Sequence, residues 1–265
     1  MYSFTYAKPA SVNDAATEFS ASEDASYLAG GMTLIPTLKQ RLAQPSQLVD
    51  LGAIADMKGI SVAGGTLTIG AMTSHADVAA SADVRKAVPA LAALAGEIGD
   101  PQVRNRGTLG GSIANNDPSA DYPAALVALG ATVHTDKRAI KAEDFFIGLF
   151  ETALEPGELI VKVSFPVAKR AGYAKFPNPA SRYAVVGVFV AETAEGVRVA
   201  VTGAGPGVFR AGDLEEALSK SFSTDAVKGI KASADGLNGD MHATPEYRAH
   251  LIGVMAKRAV QAALA

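Results

Sequence analysis

The chain has 265 residues, 48% of them hydrophobic and 19% charged. That is enough for about two domains at ~150 residues each, and too apolar for a disordered segment. Its 24 Lys+Arg against 27 Asp+Glu give a net charge of −3, without the basic excess of a nucleic-acid binder. There is no cysteine, which excludes disulfides, a thiol nucleophile, Cys-ligated zinc and any Cys-held iron–sulfur cluster within this chain.

The four histidines, His75, His134, His242 and His250, show no metal-ligand spacing, so no metal site is expected. No apolar run reaches the ~18 residues of a membrane span, Tyr122 to Thr135 being shorter and broken by Pro123 and His134. The start, MYSFTYAKPAS, lacks the basic and apolar regions of a signal peptide. The expectation is a soluble, cytoplasmic protein without a transmembrane segment.

In chain order, Ser11 and Asp14 form a helix-start signal ahead of Ala15, Ala16 and Phe19. An apolar strand ending at Leu28 meets Gly30-Gly31, and a helix pattern follows through Leu34, Leu38, Arg41 and Leu42. Leu48 to Leu51 reads as a short strand. Two alternating segments flank Gly64-Gly65, the signature of a tight hairpin. A single long helix is predicted through Val84, Val88, Leu91, Leu94 and Ala95, then a glycine-rich polar segment from Gly99 to Pro123. Leu159 to Phe165 is the clearest strand of the middle region.

From about Tyr173 the texture changes. Strands are predicted over Tyr183 to Ala191 and Val197 to Thr202, before two or three helices. The last helix has Thr244 as N-cap and Pro245 in its first turn, with Tyr247, Leu251, Val254 and Met255 on its predicted inner face. The fold class is α+β. The expected divisions are 1–55 and 56–169, two halves of one binding unit, and 170–265, a small C-terminal domain.

Two glycine-rich turns carry the chemistry. LAGGMTL sets Gly30 and Gly31 between a strand and a helix, where backbone N–H groups can converge on an anion. RGTLGGSIANNDPSADYP is expected to do the same with Gly107, Gly110 and Gly111, flanked by Thr108, Ser112, Asn115 and Asn116. With Asp121 available to ribose hydroxyls, the pair points to a dinucleotide. The site is not of the Rossmann type: Gly203-Ala-Gly205-Pro-Gly207 lacks the final glycine and reads as a strand-ending turn. His75, in GAMTSHADV, reads as a helix-start surface residue, and Glu97 with Asp100 does not make an acid–base pair.

AGGMTLIP, GDPQVRNRGTLGGSIANNDPSADYP, LEPGELIVKVSFP and YAKFPNPASRYAVVGV occur in this order. With VTGAGPGVFRAGDLEEAL and TPEYRAHLIGVMAKRAV, they extend over nearly the whole chain. In this the sequence resembles the FAD-binding medium subunits of molybdenum hydroxylases, of the carbon monoxide dehydrogenase and xanthine dehydrogenase type. The resemblance implies a two-part FAD-binding domain of the vanillyl-alcohol-oxidase-like kind, followed by a small flavoprotein domain. It implies that Ala29, Gly30, Gly31, Met32, Thr33 and Leu34, with Thr108, Gly110, Gly111 and Ser112, clasp the FAD pyrophosphate. Asn115 and Asp121 fall at the adenosine half. Leu159 and Ile160 fall beside the isoalloxazine, with Lys175 as a cation next to it and Tyr183 as a nearby aromatic.

The resemblance also implies an electron-transfer role. The partners would be a large subunit with the molybdenum cofactor and a small one with 2Fe–2S clusters, in a heterotrimer or a dimer of heterotrimers. No catalytic acid or base is expected in this chain. The sequence departs from the family pattern at Met32, at Thr33 and at Pro177-Asn178-Pro179. A redox-inactive assembly module and a free-standing flavin oxidoreductase are the alternatives. Retention of both glycine turns with Asp121 and Lys175 argues against the first, and the lack of a substrate acid–base pair against the second.

Overall fold

The computed structural model describes residues 1–265. The first region alternates β1 (Thr5–Ala7), α1 (Val12–Ser20), β2 (Ala25–Leu28), α2 (Leu34–Lys39) and β3 (Gln47–Asp50). Its three strands pair in parallel in the order β1-β3-β2. Ser11 caps α1 as the sequence predicts, its Oγ accepting from the Asp14 N–H at 3.1 Å. Helix α2 is shorter than predicted: it stops at Lys39, and Arg41 turns to φ 61°.

The second region holds β4 (Ile60–Ala63) and β5 (Thr66–Gly70), joined by the predicted hairpin with Gly64 and Gly65 both at positive φ. Helices α3 (His75–Ala80), α4 (Ala82–Ala87), α5 (Pro89–Gly96), α6 (Pro101–Arg106), α7 (Leu109–Asn115) and α8 (Tyr122–Leu129) follow. Then come β6 (Thr132–Thr135), β7 (Ala139–Lys141), α9 (Ala142–Phe145), β8 (Phe146–Gly148), β9 (Glu151–Thr152) and β10 (Ile160–Pro166). The main sheet is antiparallel, in the order β4-β5-β10-β6-β7. The single helix predicted through Val84 to Ala95 is two. Pro89 pushes Val88 out of the helical region to φ −143°, ψ 76°, and α5 restarts at the proline. The polar segment from Gly99 carries α6 and α7. Helix α8 is buried at every residue, which explains its lack of an apolar stripe.

The third region contains β11 (Arg170–Pro177), β12 (Ala184–Thr193), β13 (Gly196–Thr202), β14 (Phe209–Arg210), α10 (Gly212–Lys220) and α11 (Pro245–Leu264). Its antiparallel sheet runs β11-β12-β13-β14. Strand β12 is buried on both faces: Val188 and Val190 pack under α11, while Phe189 and Ala191 join the main core. That double burial is why its sequence is a continuous apolar run. The buried face of α11 is turned from the predicted one. Leu251 and Met255 are buried with Arg248 and Ile252, whereas Tyr247 is 42% exposed. Arg248 can be inside because its guanidinium donates to the Val185 and Gly203 carbonyls and to Asp240.

Candidate functional site

A cleft of about 800 Å³ takes walls from all three regions. Every residue predicted to bind the cofactor lines it except Lys175. Such a volume lies within the range of small-molecule and cofactor sites.

The two glycine turns touch and both line the cleft, but they do different work. In the first, β2 ends at Leu28, Gly31 takes φ +74°, and Ile35 N–H donates to the Gly31 carbonyl at 3.0 Å to start α2. The backbone N–H groups of Gly30, Gly31, Met32 and Thr33 donate to no protein acceptor, and all four residues line the cleft. They form the open cradle that an anion requires. A Cβ on Gly30 would stand 2.0 Å from the Arg106 carbonyl oxygen. Gly30 is therefore small so that the two turns can touch, not to admit a ligand.

The second turn is braced instead of open, a correction to the expectation that it mirrors the first. Thr108 caps α7, its Oγ1 accepting from Gly111 N–H at 3.1 Å. Leu109 N–H donates to the Thr73 carbonyl at 3.1 Å, Gly110 N–H to Ala71 at 2.8 Å, and Ser112 N–H to Thr108 at 3.0 Å. The helix-start donors are spent within the protein, and Ser112 and Asn115 are the polar residues of α7 that line the cleft. Gly111 sits inside α7 without a positive φ.

Asp121 and Lys175 form a buried ion pair. Lys175 Nζ lies 2.8 Å from Asp121 Oδ1 and also donates to the Glu97 carbonyl, while Tyr173 OH donates to the same Asp121 oxygen at 2.5 Å. Lys175 is thus neither a lone cation nor a cleft wall; it stands behind Asp121. Both side-chain bonds go to Oδ1, and Asp121 Oδ2 accepts from no other side chain. Burial pushes the Asp121 carboxyl up, against the opposing pull of Lys175 and Tyr173.

The strand-ending turn after β13 touches the cleft from outside. Thr202 Oγ1 donates to the Pro118 and Ala120 carbonyls at 3.1 and 2.6 Å. Gly203 N–H donates to Pro118 at 2.8 Å, and Ala184 N–H to Ser119 at 3.3 Å. The loop before Asp121 is held by the C-terminal sheet.

Three residues with no predicted role shape the cleft. Glu158 is buried and accepts from Arg138 Nε (3.0 Å) and Nη2 (2.9 Å), Thr135 Oγ1 (2.7 Å) and Glu155 N–H (2.8 Å). The Arg138 bonds hold its carboxyl down at about 2, fixing the loop that delivers Leu159 and Ile160. Asn178, 5% exposed, donates from Nδ2 to Tyr183 OH at 3.2 Å. Its Oδ1 accepts from the Ala180 and Ser181 N–H groups, so the Pro-Asn-Pro departure builds a rigid platform under Tyr183. His75 is the third. It starts α3 as expected, but it is 4% exposed and lines the cleft, so the surface reading is overturned. Arg138 lies 20 residues from Glu158, and spacing alone could not have paired them.

Comparisons with known proteins identify the family. Residues 2–168 match the family model described as an FAD binding domain in molybdopterin dehydrogenase. Residues 171–263 match the CO dehydrogenase flavoprotein C-terminal domain. The chain is 36% identical over 269 residues to the nicotine 6-hydroxylase medium subunit of Paenarthrobacter nicotinovorans, covering 96% of this chain and 95% of that one. It is 36% identical over 279 residues to the carbon monoxide dehydrogenase medium chain of Hydrogenophaga pseudoflava, covering 99% and 97%. A solved carbon monoxide dehydrogenase from that organism, lacking the Mo-pyranopterin moiety, superposes with a TM-score of 0.90 over 99% of this chain and 98% of that one, at 36% identity.

Proposed function

This chain belongs to the FAD-binding medium subunits of molybdenum hydroxylases, and on that premise we propose that it carries electrons from iron–sulfur clusters of a small partner chain, through its FAD, to an external acceptor. The observation that carries the reading is the run of four unpartnered N–H groups, Gly30 to Thr33, in a turn that lines an 800 Å³ cleft. Such a cradle suits a pyrophosphate, and the cleft is long-walled enough to be lined from all three regions. With no cysteine here, the clusters have to belong to another chain. The name "medium" in relatives supports a large partner with the molybdenum cofactor and a small one with the clusters.

Bound FAD supplies a carrier for electrons that side chains cannot hold. The chain's own residues bind and orient it. In this proposal the Ala29–Leu34 turn holds the pyrophosphate, with Thr108, Gly110, Gly111 and Ser112 as the facing wall. Asn115 and Asp121 Oδ2 offer polar atoms to the adenosine half. Leu159, Ile160 and Tyr183 keep water from the ring, and Lys175 acts through Asp121 as a positioning residue. The proposed divisions are 1–55, 56–169 and 170–265, supported by a separate sheet of three or more strands in each, the second also holding the two-stranded β8-β9 pair.

Affinity purification of the tagged chain from its native host tests the reading. Flavin absorbance, two unequal co-purifying chains and both molybdenum and iron are expected. Flavin reduction should follow substrate addition to the complex and be absent from this chain alone. A flavin-loaded chain that turns over substrate by itself would sink the proposal.

A further inference from the structure

His75 stands where the second turn, α3 and the cleft meet. Its N–H donates to the Gly107 carbonyl at 3.0 Å, and Ser74 bridges to Thr108. The Nε2–Cδ2 edge lies against Gly107, where a Cβ would come within 2.5 Å of Nε2. The Tyr122 ring lies beside it, centroids 5.4 Å apart. Neither ring nitrogen bonds to the protein. Nδ1 is sealed from solvent and unpartnered, whereas Nε2 is not sealed.

These facts decide the tautomer. A buried N–H without an acceptor is a rarer and costlier defect than an acceptor left unmet. The proton therefore belongs on Nε2, the ring nitrogen that is not sealed, in a residue that lines the cleft. Burial, and after it Arg104, push the imidazole down to about 4, so the ring is uncharged at neutral pH.

We propose that His75 Nε2–H is a hydrogen-bond donor to the bound dinucleotide, at an acceptor atom lying beside the Gly107–Gly111 turn. The inference rests on the FAD-binding reading above. It gives the braced turn a polar contribution that its own N–H groups, already bonded, do not make. The donor adds no charge, so it complements the N–H cradle of the opposite turn without altering the electrostatics of the cleft.

The test uses the full chain, stripped of flavin and titrated with FAD by fluorescence quenching. His75→Phe keeps the ring packed on Tyr122 and Gly107 but removes the donor; its Kd should rise by about fivefold or more. His75→Gln, which places an N–H near Nε2, should recover most of that loss. Independently, imidazole ¹⁵N spectra of the wild type should show the Nε2–H tautomer, with that resonance moving on FAD addition. A wild-type Kd for a folded His75→Phe, a glutamine variant no better than phenylalanine, an Nδ1–H tautomer or an unmoved Nε2 resonance would each overturn the inference. If His75→Phe does not fold, the spectra decide. Failure of the wild type to bind FAD would refute the broader reading, and this inference with it; normal wild-type binding with an unaffected phenylalanine variant refutes this inference alone.

Discussion

Lys175 Nζ and Asp121 Oδ1 lie 2.8 Å apart, with side chains only 2% and 4% exposed. The cation expected next to the flavin is thus already matched by a carboxylate on the cleft wall. Lys175 also donates to the Glu97 carbonyl, so its ammonium ties β11 to the segment before α6 and to Asp121.

Removing one member of such a pair strands the other. Lys175→Met should lower unfolding free energy by ~3–5 kcal/mol, because Asp121 then sits buried and unpaired. Adding Asp121→Asn should return more than half of the loss, since Tyr173 can still donate to the amide oxygen. Urea unfolding of the two variants decides. A single variant as stable as wild type would mean the pair is dispensable.

The glycines separate by mechanism. Gly30→Ala should abolish FAD binding, because its Cβ meets the Arg106 carbonyl at 2.0 Å and forces the turns apart. Gly31→Ala should weaken binding through strain at φ +74°, by about 1–2 kcal/mol of conformational cost in the turn. Gly111→Ala should be milder than Gly30→Ala, its nearest obstruction being the Thr108 Oγ1 at 2.9 Å, a side-chain atom that can give way at the cost of its cap on α7. Gly205→Ala meets nothing closer than 3.4 Å and should leave flavin content unchanged. Flavin-to-protein absorbance ratios of the four purified variants test the order.

Acid should loosen the fold in two stages. His75 sits at about 4 when folded against 6.5 as a free side chain, so the unfolded chain takes up its proton first. Stability from keeping it neutral is full above pH 6.5 and is lost as pH falls through 4. Glu158, at about 2 against 4.5, contributes fully above pH 4.5 and is lost towards pH 2. Melting temperatures from pH 7 to 3 should fall throughout. Glu158→Gln should flatten the lower part of the curve and His75→Phe the upper part.

Asn178 tests the platform under Tyr183. Asn178→Ala removes the Nδ2 donor and both loop acceptor bonds, so the 178–183 loop should loosen while the C-terminal sheet stays intact. We expect faster proteolysis within the loop and a several-fold weaker FAD Kd. An unchanged cleavage pattern would show that Pro177 and Pro179 suffice to set the loop.

Local signals in the sequence were sufficient where one residue dictates one conformation. The Ser11 and Thr244 caps, the Gly64-Gly65 hairpin and the turn at Gly31 were all legible for that reason. Pro89, which the one-helix expectation leaves out, was legible in the same way, as a break after Val88. The partnerships were not. Lys175 and Asp121 lie 54 residues apart, and Thr202 and Pro118 lie 84 apart; no periodicity encodes such pairings. His75 is buried against the surface expectation because a polar residue after a cap reads as exposed, whereas Gly107 and Tyr122 pack beside the ring from distant positions in the chain.

The bonds from Thr202, Gly203 and Ala184 to the carbonyls of Pro118, Ser119 and Ala120 bear on how such chains can be recombined. The two matched segments, 2–168 and 171–263, look like interchangeable cassettes along the chain. They are not, because the second props the wall of the cleft in the first. A hybrid joined at residue 169 would inherit its cofactor turns from one parent and the brace behind Asp121 from the other. Shuffled subunits should therefore retain flavin only when the donor tail preserves a hydroxyl at position 202 and the tight turn at 203, whatever the overall identity between the parents.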